Sequence, residues 1–264
     1  MIRISPAVFL VLTLWLIALP VGAEPLQPGG SATVIRVVDG DTVILDAAIE
    51  GSREVRLVGI QAPKLPLGRK NFKPWPLADD AKATLEKLIL GKRVTLKFGG
   101  RRIDRHGRLL AHLYTDDGGW AQGVLLQGGM ARVYSFPDNR ALIAEMLALE
   151  TPARQARRGI WGHKFYLVRA AARVDYLDGT FQLVEGTVAD AQTVRTKTYL
   201  NFGADWRSDF TISIDKKALR SFTALGIDPL DLKGRTLRVR GWIKKSNGPL
   251  IEVSHPEQIE IIGE

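Results

Sequence analysis

Val38-Asp39-Gly40-Asp41-Thr42-Val43 sits between two alternating apolar runs, Thr33 to Val38 and Thr42 to Leu45. Asp-Gly between such runs reads as a hairpin turn, because these residues tolerate the backbone angles that reverse a chain. A third run of the same kind, Glu54 to Val58, puts three strands in succession. Residues 62 to 76 then carry Pro63, Pro66, Pro74 and Pro76 among Lys64, Arg69, Lys70 and Lys73. Prolines at that density exclude a continuous helix or a central strand, so the segment is an extended basic loop.

Helical spacing begins after the loop. Ala78, Ala81, Leu85, Leu88 and Ile89 share one face, Asp79 and Asp80 suit a first turn, and Gly91 suits the stop. Two more strands, Arg93 to Phe98 and Leu109 to Tyr114, flank the basic turn from Gly99 to Arg108. A short helix is predicted over Ala121 to Gln127. A longer one runs from Asn139 to Arg158, with Leu142, Met146 and Leu149 as its buried stripe and Pro152 set to kink or interrupt it. Three strands, a helix, two strands and further helices make a mainly β fold with α: a five-stranded barrel of the oligonucleotide-binding (OB) type.

The same order recurs further along. Gln182 to Ala189, Lys197 to Phe202 and Asp209 to Ile214 read as strands, Lys217 to Leu225 as a helix, and Thr236 to Ile243 and Pro249 to Val253 as strands, with Asn247-Gly248 as a hairpin turn. The expected organisation is a leader at 1–23, a first domain at 31–162, a linker or packing arm at 163–179, and a small OB-type domain at 180–264. The leader reading rests on Arg3, an apolar run from Ala7 to Leu19 and the small-residue site Val21-Gly22-Ala23, the pattern of a secretory signal peptide. That run is short of the ~20 residues that span a bilayer, so the expected mature protein is exported, periplasmic or secreted, without a membrane span. With no cysteine in the chain there is no disulfide partner, and stability falls to the cores.

Three segments combine into one chemical pattern: Asp39-Gly40-Asp41-Thr42, Arg56-Leu57-Val58-Gly59-Ile60-Gln61-Ala62-Pro63-Lys64, and Asp104-Arg105-His106-Gly107-Arg108. In this order and spacing, over about residues 33 to 161, the chain resembles the staphylococcal nuclease (thermonuclease) family. The resemblance implies a barrel that attacks phosphodiesters with metal-binding aspartates, two arginines, a general-base glutamate and a divalent cation, calcium. Matched residue by residue, Asp41 stands at the first metal-binding aspartate, and Arg56 and Arg108 at the phosphate-binding arginines. Ala62 stands where the family offers a backbone carbonyl. Two positions depart: Gln61 stands at the second metal aspartate and Lys64 at the general-base glutamate. At ~4 Å and an effective dielectric of ~20, a unit-charge pair is worth about 4 kcal/mol, so an ammonium facing a dication loses roughly twice that. Loss of the base alone costs on the order of 10²- to 10⁴-fold in rate.

Three arrangements fit these residues. Asp39, Asp41 and Arg56 serve the fold as a turn with its ion pair; or Arg56, Arg108 and Lys64 converge on a phosphate that is held but not hydrolysed; or the site is rewired, Lys64 replacing the metal's charge and His106 or Asp104 acting as base. Arg101, Arg102, Arg105 and Arg108, with Lys92, Arg93 and Lys97, form a candidate backbone-contacting surface. Residues 24–173 hold 24 Lys and Arg against 15 Asp and Glu, whereas residues 174–264 hold 12 against 13, so the basic field belongs to the first domain. Such a field suits a polyanion. Tyr134 and Phe136 lie near the segment where the family stacks a base, in a shifted register. Tyr199, Phe202, Trp206 and Trp242 are either a stacking platform or core. His112, His163 and His255 lack metal-ligand spacing.

The leading expectation is a thermonuclease-like protein with a degenerate active site that binds DNA or RNA phosphates. Its alternatives are a phosphodiesterase with altered metal dependence and an envelope interaction or scaffold protein. Oligomeric state is not readable from the chain.

Overall fold

The computed structural model describes residues 25–263; the signal-peptide expectation for residues 1–23 lies outside them. The first domain contains β1 (Gln27–Asp39), β2 (Thr42–Ile49), β3 (Ser52–Leu57), α1 (Ala78–Ile89), β4 (Arg93–Phe98), β5 (Leu109–Thr115), α2 (Ala121–Gln127) and α3 (Ile143–Gln155). Its strands close into a barrel in the order β1-β2-β3-β5-β4. Only the β3–β5 pairing is parallel. Period-two alternation points Val43, Leu45, Val55, Leu57, Val94 and Leu96 inward, and α1 adds Ala81, Leu85 and Ile89 to the same core. Gly59, at φ +81°, is needed where β3 ends, because a Cβ there would meet the Met146 thioether of α3 at 2.6 Å.

Helix α3 departs from its expectation. It is shorter than 139–158, starting after Leu142, whose backbone is left-handed at φ 61°, and it continues through Pro152 to Gln155 without interruption. Its buried face is Ile143, Met146, Glu150 and Ala153, while Leu142 and Leu149 are only half-buried. A carboxylate therefore lies on the face that an apolar pattern assigns to leucines.

The second domain contains β6 (Phe181–Thr187), β7 (Asp190–Val194), β8 (Lys197–Asn201), β9 (Thr211–Ile214), α4 (Lys216–Ala224), β10 (Thr236–Ser246) and β11 (Gly248–Val253). Hydrogen bonding follows the order β7-β8-β9-β11-β10-β6, with β9 and β11 parallel. Because β6 and β7 are separated only by Val188 and Ala189, the two ends of this curled sheet meet at one broken strand. This is the OB strand order, as expected. Strand β7 departs from the expectation: its residues are exposed or half-exposed, only Ala191 packs on the second core, and so little burial carries no hydrophobic period. Asn247 supplies the left-handed residue of the β10–β11 turn at φ 62°. The Asp215 side chain accepts from the Ala218 N–H at 2.8 Å and caps α4.

The segment between the domains packs. Tyr166 is buried and donates its hydroxyl to the Pro76 carbonyl at 2.8 Å, and Arg169–Ala170 pairs in parallel with β6. Ala153, Ile160, Trp161, Tyr166, Phe181 and Leu183 form an apolar seam separate from the cores of both domains, built from α3, the turn Gly159–Gly162, the arm and β6. Among the described residues no helix is long and apolar enough to cross a membrane.

Candidate functional site

The β1–β2 turn presses directly on the barrel. A Cβ at Gly40 would lie 2.7 Å from Ala62 and 2.8 Å from Ala81, so glycine lets the two flanking aspartates sit beneath the start of the proline-rich loop. Asp41 is wholly buried and Asp39 nearly so. One Asp41 oxygen accepts from the Ala62 N–H at 2.8 Å, and the Asp41 N–H donates to Asp39 Oδ1 at 3.1 Å. The Lys64 ammonium lies 2.7 Å from both oxygens of Asp41 and 3.4 Å from Asp39 Oδ2. Arg56 Nη1 stands 3.1 Å from Asp41 Oδ1 while donating to the carbonyls of Asp41 and Leu57, and Nη2 donates to the Ile60 carbonyl at 2.7 Å.

Two acids and two bases thus form a closed, neutral cluster. Burial by itself would raise the Asp41 carboxyl, but the adjacent charges of Arg56 and Lys64 outweigh it and hold the group at about 2. Asp39 is shifted upward, first by burial and then by the negative charge of Asp41 beside it. A divalent cation does not fit this arrangement. Both oxygens of Asp41 already face an ammonium at hydrogen-bond distance, and among the described residues no group of three or more His, Asp or Glu is placed to hold a metal.

Gln61 has turned away from the aspartates. Its amide oxygen accepts from Arg132 Nε at 3.0 Å and Nη2 at 2.7 Å, deep under the Phe181 ring, whose centroid is 4.6 Å from the guanidinium carbon. Sequence spacing held no trace of this pair, which β-bridging between Ile60–Gln61 and Arg132–Val133 creates.

The expected convergence of Arg56, Arg108 and Lys64 is only partly formed. Arg56 and Arg108 line one cleft of about 540 Å³ together with Arg101, Arg105 and His106; Lys64 is not on its wall. Asp104 fixes the Arg108 turn, accepting from the Arg108 N–H at 3.0 Å and from its guanidinium at 2.6 and 2.8 Å. Although burial opposes it, these hydrogen bonds lower the Asp104 carboxyl. Arg101 faces Asp138 at 3.7 Å, and Arg105 Nε donates to His106 Nε2 at 3.1 Å. Arg102 leaves the group: it pairs with Glu50 and donates to Gln27 at 2.8 Å, away from the cleft. The site therefore has a sealed aspartate cluster behind Arg56 and an open arginine wall in front of it.

Tyr134, Phe136 and Trp242 complete the wall, and Trp242 comes from β10 of the second domain. Trp242 is 43% exposed, which settles the choice between core and surface that the sequence left open. Trp206 is also exposed, but it lies on a separate pocket with Tyr199; Phe202 packs on the second core.

Comparison with known proteins points one way. The staphylococcal nuclease homologue family matches residues 54–163. An uncharacterized endonuclease of Escherichia coli O157:H7 is 31% identical over 128 residues, covering 48% of this chain and 74% of that protein. An uncharacterized protein of Bacillus anthracis is 30% identical over 137 residues, 51% of this chain and 62% of its own length. The thermonuclease of Staphylococcus intermedius is 29% identical over 133 residues, 50% of this chain and 77% of the enzyme.

Proposed function

This chain belongs to the staphylococcal nuclease family, and we propose that it is an exported member that binds nucleic-acid phosphates without metal-assisted cleavage at Asp41. One observation carries the proposal: the Lys64 ammonium, 2.7 Å from both Asp41 oxygens, sits against the carboxylate that the family gives to its cation. An internal cation replaces a dissociable one, so the carboxylates hold the barrel instead of a metal-bound water. The arginines in front of them line an open cleft, and guanidinium groups suit phosphate by their planar fork. Export rests on the leader-like composition of residues 1–23.

The test is binding of the mature chain to fluorescent DNA and RNA across a salt series. Affinity is expected to fall steeply as salt rises, and Arg108→Ala to reduce both affinity and salt slope. Salt-insensitive or absent binding near ~50 mM salt overturns the reading. In parallel, cleavage is assayed with calcium, magnesium, manganese or chelator.

A second reading, a phosphodiesterase independent of the aspartate cluster, is favoured by His106 standing on the same cleft as Arg108. It predicts cleavage that survives chelator and disappears in His106→Ala.

A further inference from the structure

Residues 240 and 242 lie on one face of β10, two apart, and both reach the first domain, Arg240 at Glu150 and Trp242 at Tyr134. Arg240 is the anchor. It is 1% exposed and pairs with Glu150 of α3 at 2.9 Å and with Glu260. Two residues on, the same face delivers Trp242 into the arginine-lined cleft. Its indole N–H donates to the Tyr134 hydroxyl at 3.0 Å, and its ring meets Phe181 edge-on at 6.1 Å. An exposed tryptophan held by an anchor, a hydrogen bond and an edge contact has already lost its rotamer freedom, which lowers the ordering cost of a ligand.

We propose that Trp242, brought in from the second domain, supplies an added base-stacking face to this cleft for single-stranded nucleic acid, with the first-domain arginines along the phosphate side. The inference rests on the nucleic-acid reading above and adds to it a stacking residue from the second domain. Charge selects the occupant: with Arg56 already paired to Asp41, the wall sets Arg101, Arg105 and Arg108 against Asp104 and Asp138, a positive balance that suits a phosphodiester chain. Ring exposure selects the strand state. Phe136, 46% exposed, and Trp242 offer open faces on the same cleft, and only bases freed from a duplex have faces to place on them.

The experiment compares an oligothymidylate with an abasic chain of the same length and a duplex, using the whole mature chain and Trp242→Ala, Trp242→Phe and Phe136→Ala variants. The expected result is a preference of roughly tenfold for oligothymidylate over the abasic chain. That preference collapses in Trp242→Ala and is kept in Trp242→Phe, with abasic affinity and salt slope unchanged. Equal affinity of the wild type for the base-bearing and abasic chains overturns the subsite while leaving phosphate binding intact. A preference that persists in Trp242→Ala overturns it too. Failure to bind any of the three probes overturns both this inference and the nucleic-acid reading. Urea midpoints matching wild type show that the variants are folded.

Discussion

At Lys64 a single side chain changes what a pair of aspartates does. A carboxylate at this position would add a third negative charge beside Asp39 and Asp41; the ammonium cancels one of them at 2.7 Å. Lys64→Met should therefore leave a buried carboxylate short of a partner and cost about 3 kcal/mol, the lower end for a broken buried pair because the lysine is a fifth exposed; urea denaturation measures it. Millimolar calcium should move the wild-type melting temperature by less than about 1 °C, since a ligand that does not bind the native state cannot stabilise it. Acid sensitivity has a definite sign. Asp41 lies at about 2 in the fold against 3.8 for the free group, so its stabilisation is complete above pH 3.8 and is lost as pH falls through 2. The loss is about 2 kcal/mol, absent in Asp41→Asn, and read from urea midpoints between pH 4 and 2. Asp39, shifted upward, has the opposite sign and takes its proton first. The lysine was legible as a departure from the family pattern, and replacement of the metal's charge was among its sequence readings. Its inward path was not, because it depends on how the proline-rich loop lies over Gly40.

Among elements, α3 and β10 depend on each other. Glu150 accepts from the Val133 N–H at 2.6 Å, from Arg154 at 2.7 Å and from Arg240, all out of water. Glu150→Ala should cost about 3 to 5 kcal/mol by leaving the buried Arg240 with Glu260 as its one carboxylate and the Val133 N–H without its acceptor, whereas Glu150→Leu with Arg240→Met should recover much of that loss. A double-mutant cycle in urea checks both. The helix is legible from its spacing, and of the expected stripe Met146 is buried while Leu142 and Leu149 lie half out of the core. A glutamate's partner 90 residues away leaves no mark in local periodicity. The largely exposed strand β7 escapes the sequence for the complementary reason: little beyond Ala191 packs inward, so no alternation marks it.

Across the whole molecule, the apolar seam and the Arg240 network tie the two domains together, and a single calorimetric transition is expected, separating into two in Glu150→Ala. His255 lies in this junction, buried between the hydroxyls of Ser135 at 2.7 Å and Ser254 at 2.9 Å. Burial lowers its imidazole to about 4, so the neutral form's stabilisation is full above about pH 6.5 and is lost as pH falls through 4. His112 shares that direction inside the first domain. Stability should thus decline between pH 6.5 and 4, by about 3 kcal/mol for His255 alone, and His255→Gln should flatten part of the decline in urea midpoints. What the chain determines by itself is the two OB strand orders, the turn with its aspartates, the arginines, and a glutamine and a lysine at positions where the resemblance leads one to expect acids, because strand periodicity, turn chemistry and charge are local properties. Tertiary structure alone decided that Lys64 turns inward, that Gln61 answers Arg132, and that a tryptophan of the second domain stands in the first domain's cleft. Each depends on which distant side chain burial leaves in need of a partner, and no spacing along the chain encodes that.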